Sequence, residues 1–307
     1  MNRFLMMALV TTAMFFKPAG SHAAENTKEN ADAIYYLSGN IIRMVSFPDK
    51  KKTTVVYEVP KRTANIQSEI HGMSCGPDNT LAFHLVVTDF SKSVSRTTIQ
   101  TINPISKEVR TIVDEGETSV MFPSLSYDGS LLYMHAADSK QDNRYFMIKN
   151  LRSGSMKRYD QLEGISSLSP DNKVLAISRV DQMTKKAQIY LYDLNKSEMS
   201  PWQEGKMPIF SPSGMLIAYT TDDHKRLIIS DKTGRTIQSY DRYFVSRING
   251  WLDNDRILFT IGVFMYKNHI GILDLKKKRI EDIAVPTSGE IEGICYTPRQ
   301  ADTTDNN

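Results

Sequence analysis

A four-residue turn recurs five times down the chain, each time followed by a short apolar run. It reads Gly76-Pro77-Asp78-Asn79, Ser126-Tyr127-Asp128-Gly129, Ser169-Pro170-Asp171-Asn172, Ser211-Pro212-Ser213-Gly214 and a shortened Leu252-Asp253-Asn254-Asp255. From Asp78 through Asp128, Asp171 and Ser213 to Asn254 the steps are 50, 43, 42 and 41 residues. Proline presets φ in such a turn, and Gly or Asn tolerates positive φ. The runs that follow, at 81–83, 131–134, 174–177, 216–219 and 257–259, have the length of strands and not of helices. Self-similarity at about this period is the mark of a repeat architecture, in which each unit buries its faces against its neighbours. Residues 206–240 hold one whole unit of four short strands: an apolar run, the turn, a second run, a polar loop, a third run, a second turn and an alternating fourth strand.

The third strand of the unit recurs six times, one more than the turn. It reads 189–193, 227–231 and 270–274, with weaker copies at 42–46, 99–103 and 146–150. The extra copy is explained at the chain ends. Residues 33–37, AIYYL, match a second strand, and residues 290–298, EIEGICYTP, match a first strand with nothing after it. The missing parts fit each other. The C-terminal strand is therefore expected to become the innermost strand of the unit that the N-terminus begins. That makes an all-β ring of six four-stranded blades with no free edge at the seam.

The turn and its spacing resemble the TolB-type six-bladed β-propeller, whose repeats are similar to WD-type repeats but lack their Gly-His and Trp-Asp marks. The resemblance covers residues 33–298. The α/β domain that precedes the propeller in TolB has no counterpart. Related propellers serve as binding scaffolds, as gating domains of peptidases and as sugar lyases, so the resemblance implies a fold and a choice of functions.

Residues 1–24 read as a secretory signal peptide. Arg3 gives a basic start, the apolar stretch 4–16 is too short to span a bilayer, and Ser21-His22-Ala23 offers small residues for cleavage after Ala23 or Ala24. Its removal takes away Arg3 and Lys17 and leaves 36 basic against 35 acidic residues. A nearly neutral chain is not, as a whole, a nucleic-acid binder. No later stretch approaches the length of a transmembrane span. Residues 25–32 and 299–307 are polar and read as disordered tails. The expected location is periplasmic or secreted.

Cys75 and Cys295 fall near the ends of neighbouring first strands, one register apart relative to Pro77 and Pro298. In an exported protein they could pair, or they could be two buried thiols too far apart to join. Cys75, Leu125, Leu168, Phe210, Trp251 and Tyr296 form one column before the turns and read as core between blades. His84 and His135 read as equivalent positions at the ends of second strands, with Asp89, Asp138 and Asp142 in the loops beyond. Such a set could ligate a metal. Oligogalacturonate lyases resemble this propeller and use a His-rich metal site, although their ligands cannot be matched here residue by residue.

The loops beyond the second strands are the longest, and long loops on a rigid ring are where recognition concentrates. Phe90, His135, Arg144, Arg179 and Phe264 are the expected partner-binding residues on that face. On the opposite face, Lys50, Lys51 and Lys52 with Lys276, Lys277, Lys278 and Arg279 should crowd one basic rim. There is no Gly-x-Ser-x-Gly, His-Glu-x-x-His, Cys-x-x-Cys or phosphate-binding Gly loop. The reading is thus a monomeric, exported propeller that binds a protein or peptide partner in the cell envelope, without a cofactor. The alternative is a metal-dependent sugar lyase, the one reading that requires a divalent ion.

Overall fold

The structure is a computed structural model that describes residues 32–47, 53–60, 63–116, 118–138, 143–160, 162, 164–181, 183–241, 244–262, 269–285 and 291–297. The leader, residues 25–31, Lys50 to Lys52, Asp142, Phe264 and the tail at 299–307 lie outside them. Asp32, read above as the last tail residue, is the first residue of a strand.

Blade one contains β1 (Asp32–Ser38), β2 (Ile41–Phe47) and β3 (Thr53–Glu58). Blade two is β4 (Ile66–Cys75), β5 (Leu81–Asp89), β6 (Val94–Ile102) and β7 (Val109–Val113). Blade three is β8 (Thr118–Leu125), β9 (Leu131–Asp138), β10 (Asn143–Asn150) and β11 (Met156–Asp160). Blade four is β12 (Ile165–Leu168), β13 (Val174–Val180), β14 (Ala187–Asp193) and β15 (Glu198–Glu204). Blade five is β16 (Lys206–Phe210), β17 (Leu216–Thr220), β18 (Leu227–Asp231) and β19 (Thr236–Tyr240). Blade six is β20 (Val245–Trp251), β21 (Arg256–Ile261), β22 (His269–Asp274) and β23 (Arg279–Ile283). The last strand, β24 (Ile291–Thr297), returns to blade one and pairs antiparallel with β1. The result is six antiparallel four-stranded sheets, with blade one ordered β24-β1-β2-β3.

Local chemistry explains the repeat. In blade three the Gly129 N–H donates to the Ser126 carbonyl at 2.9 Å, with Gly129 at φ +67°. The Ser126 hydroxyl donates to Asp128 at 2.6 Å and accepts the N–H of Leu131 at 2.9 Å. Ser169, Asp171 and Val174 repeat this in blade four, with Asn172 at φ +59°. The serine thus ties the turn to the strand that follows it. A Cβ on Gly129 would stand 2.9 Å from Pro77 of the preceding blade's turn, so glycine also lets adjacent turns close up. At the ends of the third strands, Asn103, Asn150, Asp193, Asp231 and Asp274 each accept backbone N–H groups of the next turn. These are Asx turns, and they account for the Asn or Asp that closes five of the six copies.

The core is divided among the blade interfaces. Along β1, Ala33, Tyr35 and Leu37 pack toward blade two with Ile70, Leu81 and Phe83. The alternate residues Ile34 and Tyr36 pack toward blade six with Leu258 and Ile270. One strand therefore serves two cores, and neither face meets water. Trp251 is buried, and its indole N–H donates to the Ile209 carbonyl at 3.2 Å. Tyr296 is half-buried against the core between blades one and six.

The closing strand is held from both sides. Cys295 on β24 forms a disulfide with Cys75 on β4, with Cα atoms 5.5 Å apart. His71 of β4 stands 3.5 Å from the Glu292 carboxylate. From blade six, the Arg247 guanidinium donates to the Glu292 carbonyl at 2.7 Å.

Two outcomes follow for stability. Ending the chain after residue 285 removes Ile291, Ile294 and Cys295 from two cores. Each such side chain contributes about 1.5–3 kcal/mol, against a total stability of about 5–15 kcal/mol. The truncated protein should lose its cooperative urea transition; a midpoint equal to that of the full chain would refute closure by β24. The disulfide spans 220 residues of sequence. The Cys75→Ser/Cys295→Ser variant should keep the fold but lose up to about 5 kcal/mol, and thiol counting on the unreduced wild-type protein should find no free cysteine.

Candidate functional site

The innermost strands β4, β8, β12, β16, β20 and β24 enclose a central channel of about 1600 Å³. Small-molecule pockets are typically ~300–1,000 Å³, so this space suits a segment of chain better than a metabolite.

The wall is irregular. Pairing shifts register between His71 and Met73, between Met121 and Ser124, between Lys206 and Ile209, and between Ile248 and Gly250. Such bulges bend a strand and re-aim its side chains. Two of them coincide with Pro123 and Pro208, residues that cannot donate to a ladder. Before those prolines, Phe122 and Met207 adopt φ +51° and +54°. For a bulky residue this backbone costs on the order of 1–3 kcal/mol. Met207 is buried, but the Phe122 side chain is 48% exposed on the channel wall. A Cβ on Gly72 of the neighbouring blade would lie 3.3 Å from the Phe122 ring. His135 meets the same ring edge-on at 6.2 Å.

Arg144, Arg179, Asp138 and Asp181 border the channel at its long-loop end. The Arg179 guanidinium lies 4.5 Å from the Tyr190 ring centroid, a cation–π contact. Asp181 accepts the N–H groups of Met183 and Thr184 and so shapes its own loop. Deeper in the wall, Arg247 is half-buried, and burial pushes its pKa down. At the turn end, Tyr127 donates to the Phe210 carbonyl at 2.7 Å, reaching from blade three past blade four to blade five.

Three of the residues expected at the partner face, His135, Arg144 and Arg179, thus meet at one channel. Phe90 does not join them. Phe90, 49% exposed, follows the end of β5 and does not border the channel. The histidine reading also needs correction. His84 and His135 lie mid-strand, paired opposite His71 and Met121, and not at strand ends beside the loop acids. His84 is 6% exposed, and neither of its ring nitrogens has a hydrogen-bond partner. Asp89 is engaged by Ser91 and Lys92 of its own turn. Among the described residues no three imidazole, carboxylate or thiol groups converge as metal ligands. On the opposite face the rim is partly neutralised: Lys276 pairs with Asp255 at 2.6 Å and Lys277 with Asp274 at 3.3 Å, while Lys278 and Arg279 are exposed.

Phe122, Tyr127, Tyr190 and Arg247 were not anticipated. Two had a signal in the sequence. Phe122 stands before a proline inside a strand, and Arg247 is the one arginine of the six innermost strands.

No protein-family model matches the chain, and no curated protein does. Solved structures do. TolB from Acinetobacter baumannii superposes with a TM-score of 0.65 at 16% identity, over 87% of this chain and 67% of that one. A putative TolB from Agrobacterium tumefaciens gives 0.59 at 14% identity, over 87% and 99%. An oligogalacturonate lyase in complex with manganese gives 0.51 at 16% identity, over 78% and 73%. At these identities the likeness is one of fold: the chain is a six-bladed propeller of the kind seen in TolB.

The buried histidine makes stability depend on pH. Burial, then the neighbouring His71, lowers the His84 pKa from 6.5 to about 4. The unfolded chain therefore binds this proton at a higher pH than the folded one. Stability should be full above pH 6.5 and fall as the pH drops toward about 4, by ~3 kcal/mol for this one group. Urea midpoints across that range should show a shallower slope in His84→Gln than in wild type. Equal slopes would mean that His84 titrates normally in the fold.

Proposed function

We propose that the chain is an exported, monomeric propeller that binds a protein or peptide partner in the cell envelope, with the partner seated at the long-loop mouth of the channel. The observation that carries this reading is Phe122: a large apolar ring held at positive φ, 48% exposed inside a channel of about 1600 Å³. Folding alone gives no reason to keep such a residue there. Strain of this kind persists where its surroundings over-determine it, and it clusters at binding sites. Arg144 and Arg179 border the same channel. Aromatic and arginine side chains carry most of the energy at interfaces.

Export is supported by the leader-like residues 1–24, by the disulfide, and by the likeness of the fold to TolB. Among the described residues no helix is long and apolar enough to cross a membrane. The basic rim is assigned a minor, salt-sensitive part, because two of its cations already have acidic partners. The lyase reading rests on the likeness of fold to the manganese-bound oligogalacturonate lyase alone, since the two candidate histidines lie mid-strand within their sheets.

A random linear peptide library selected on the immobilised mature protein tests the reading. Peptides recovered at physiological salt should bind Phe122→Ala/Arg144→Ala at least about tenfold more weakly, the order expected for losing one hot-spot contact. They should bind Lys276→Gln/Lys277→Gln/Lys278→Gln as they bind wild type. The reverse pattern would move the functional face to the basic rim.

A further inference from the structure

We propose that Arg247 is a carboxylate-binding anchor inside the channel, placed to receive an acidic group on a chain that comes in from the long-loop end. The proposal rests on the reading of the channel as a partner site and adds what the site recognises.

Arg247 is the one arginine among the six innermost strands. It sits on β20 and borders the cavity. Among the described residues its guanidinium makes one hydrogen bond, from Nη1 to the Glu292 carbonyl 2.7 Å away, and no carboxylate lies within ion-pair distance of it. The acidic groups at the closing strand and along the channel have other partners, Asp138 among them. The Glu292 carboxylate turns to His71 at 3.5 Å, and Asp253 pairs with Arg256 at 2.7 Å. Asp181 is held by the backbone of its own loop.

A guanidinium withdrawn from water without a counter-charge is costly, and the cost is recovered when an anion binds. Here the bond to Glu292 fixes one part of the guanidinium, so its orientation is set before any ligand arrives. The remaining N–H groups form a planar fork that matches a carboxylate in a bidentate way. Across the ring, on the opposite blade, stands the exposed Phe122. The wall thus offers a fixed cation and an apolar surface within one cavity. That pairing suits a carboxylate next to an apolar side chain. The end of a chain and an Asp or Glu side chain both supply such a carboxylate; the chemistry at Arg247 is the same.

Arginine Nε–Hε resonances of the full mature protein provide the test, with that of Arg247 assigned by its loss in Arg247→Lys. Four probes are titrated at matched ionic strength. N-acetylglycine stands for a chain end, N-acetylaspartamide for an acidic side chain, N-acetylglycinamide is the neutral control, and sulfate is a non-planar anion. The Arg247 resonance should shift saturably with one or both carboxylates and stay in place with the neutral amide. The tighter of the two carboxylates identifies the source. Arg247→Lys, followed by Trp251 fluorescence, should bind that probe about tenfold more weakly, the worth of one charge-assisted hydrogen bond. If the lysine variant does not fold, the Arg247 Nε–Hε resonance is assigned instead by through-bond correlation to its own backbone, and the wild-type titrations decide alone. An Arg247 resonance unmoved by either carboxylate, or moved as far by the amide or by sulfate, overturns the proposal. Because the probes are small molecules, that failure is separate from a failure of the peptide reading. Library peptides that bind while Arg247 stays silent would leave a partner site without this anchor.

Discussion

The inner strands of each blade are buried on both faces, and the rest of the structure follows from that. An open sheet can leave one face wet. Here β1 sends Tyr35 toward blade two and Tyr36 toward blade six, and both are buried. A blade missing either neighbour would expose a whole apolar face, so the ring is stable only when complete. Completion falls to β24, which must travel from the far end of the chain to pair with β1. This is the most non-local strand pairing among the described residues, and it is reinforced from both sides. Cys75 and His71 hold the strand from one side and Arg247 from the other.

The same inner strands both finish the cores and line the channel, so the two demands compete within a few residues. The bulges are where the competition is settled. At Met121–Ser124 the ladder gives up regular pairing, and Phe122 turns to the channel while Val120 stays in the core. Gly72 on one flank and His135 on the other fix where the ring can lie. Arg247 shows a similar compromise: it braces the closing strand with one hydrogen bond and leaves the rest of its fork for the channel.

The architecture was legible because it is written in local chemistry. The Ser-Pro-Asp turn and the Asn or Asp that closes the third strand in blades two to six have short-range hydrogen-bond reasons to exist, and these repeat with the blade. The surplus third strand then dictated closure. Radial position was harder to read. Phe90 and Arg144 both belong to long-loop hairpins, yet only Arg144 borders the channel, and nothing in the local sequence of either hairpin tells the two apart. His84 and His135 were placed too near the loops, since strand ends depend on tertiary pairing and not on the turn alone. Phe122 was hidden by the rule that an apolar residue in a strand belongs to the core; Pro123 beside it was the sign that the ladder breaks there.

The disulfide has a mechanical consequence. Cys75 and Cys295 are 220 positions apart, so their bond turns most of the chain into a covalent loop. Pull on the two ends of such a molecule and the load passes from Cys75 to Cys295 directly. The strands of blade one and most of β4 bear the force, while the residues within the loop, which form the bulk of blades two to six, are out of the line of tension. A propeller tethered at its termini would therefore lengthen only by the chain outside that loop before the covalent ring takes the load.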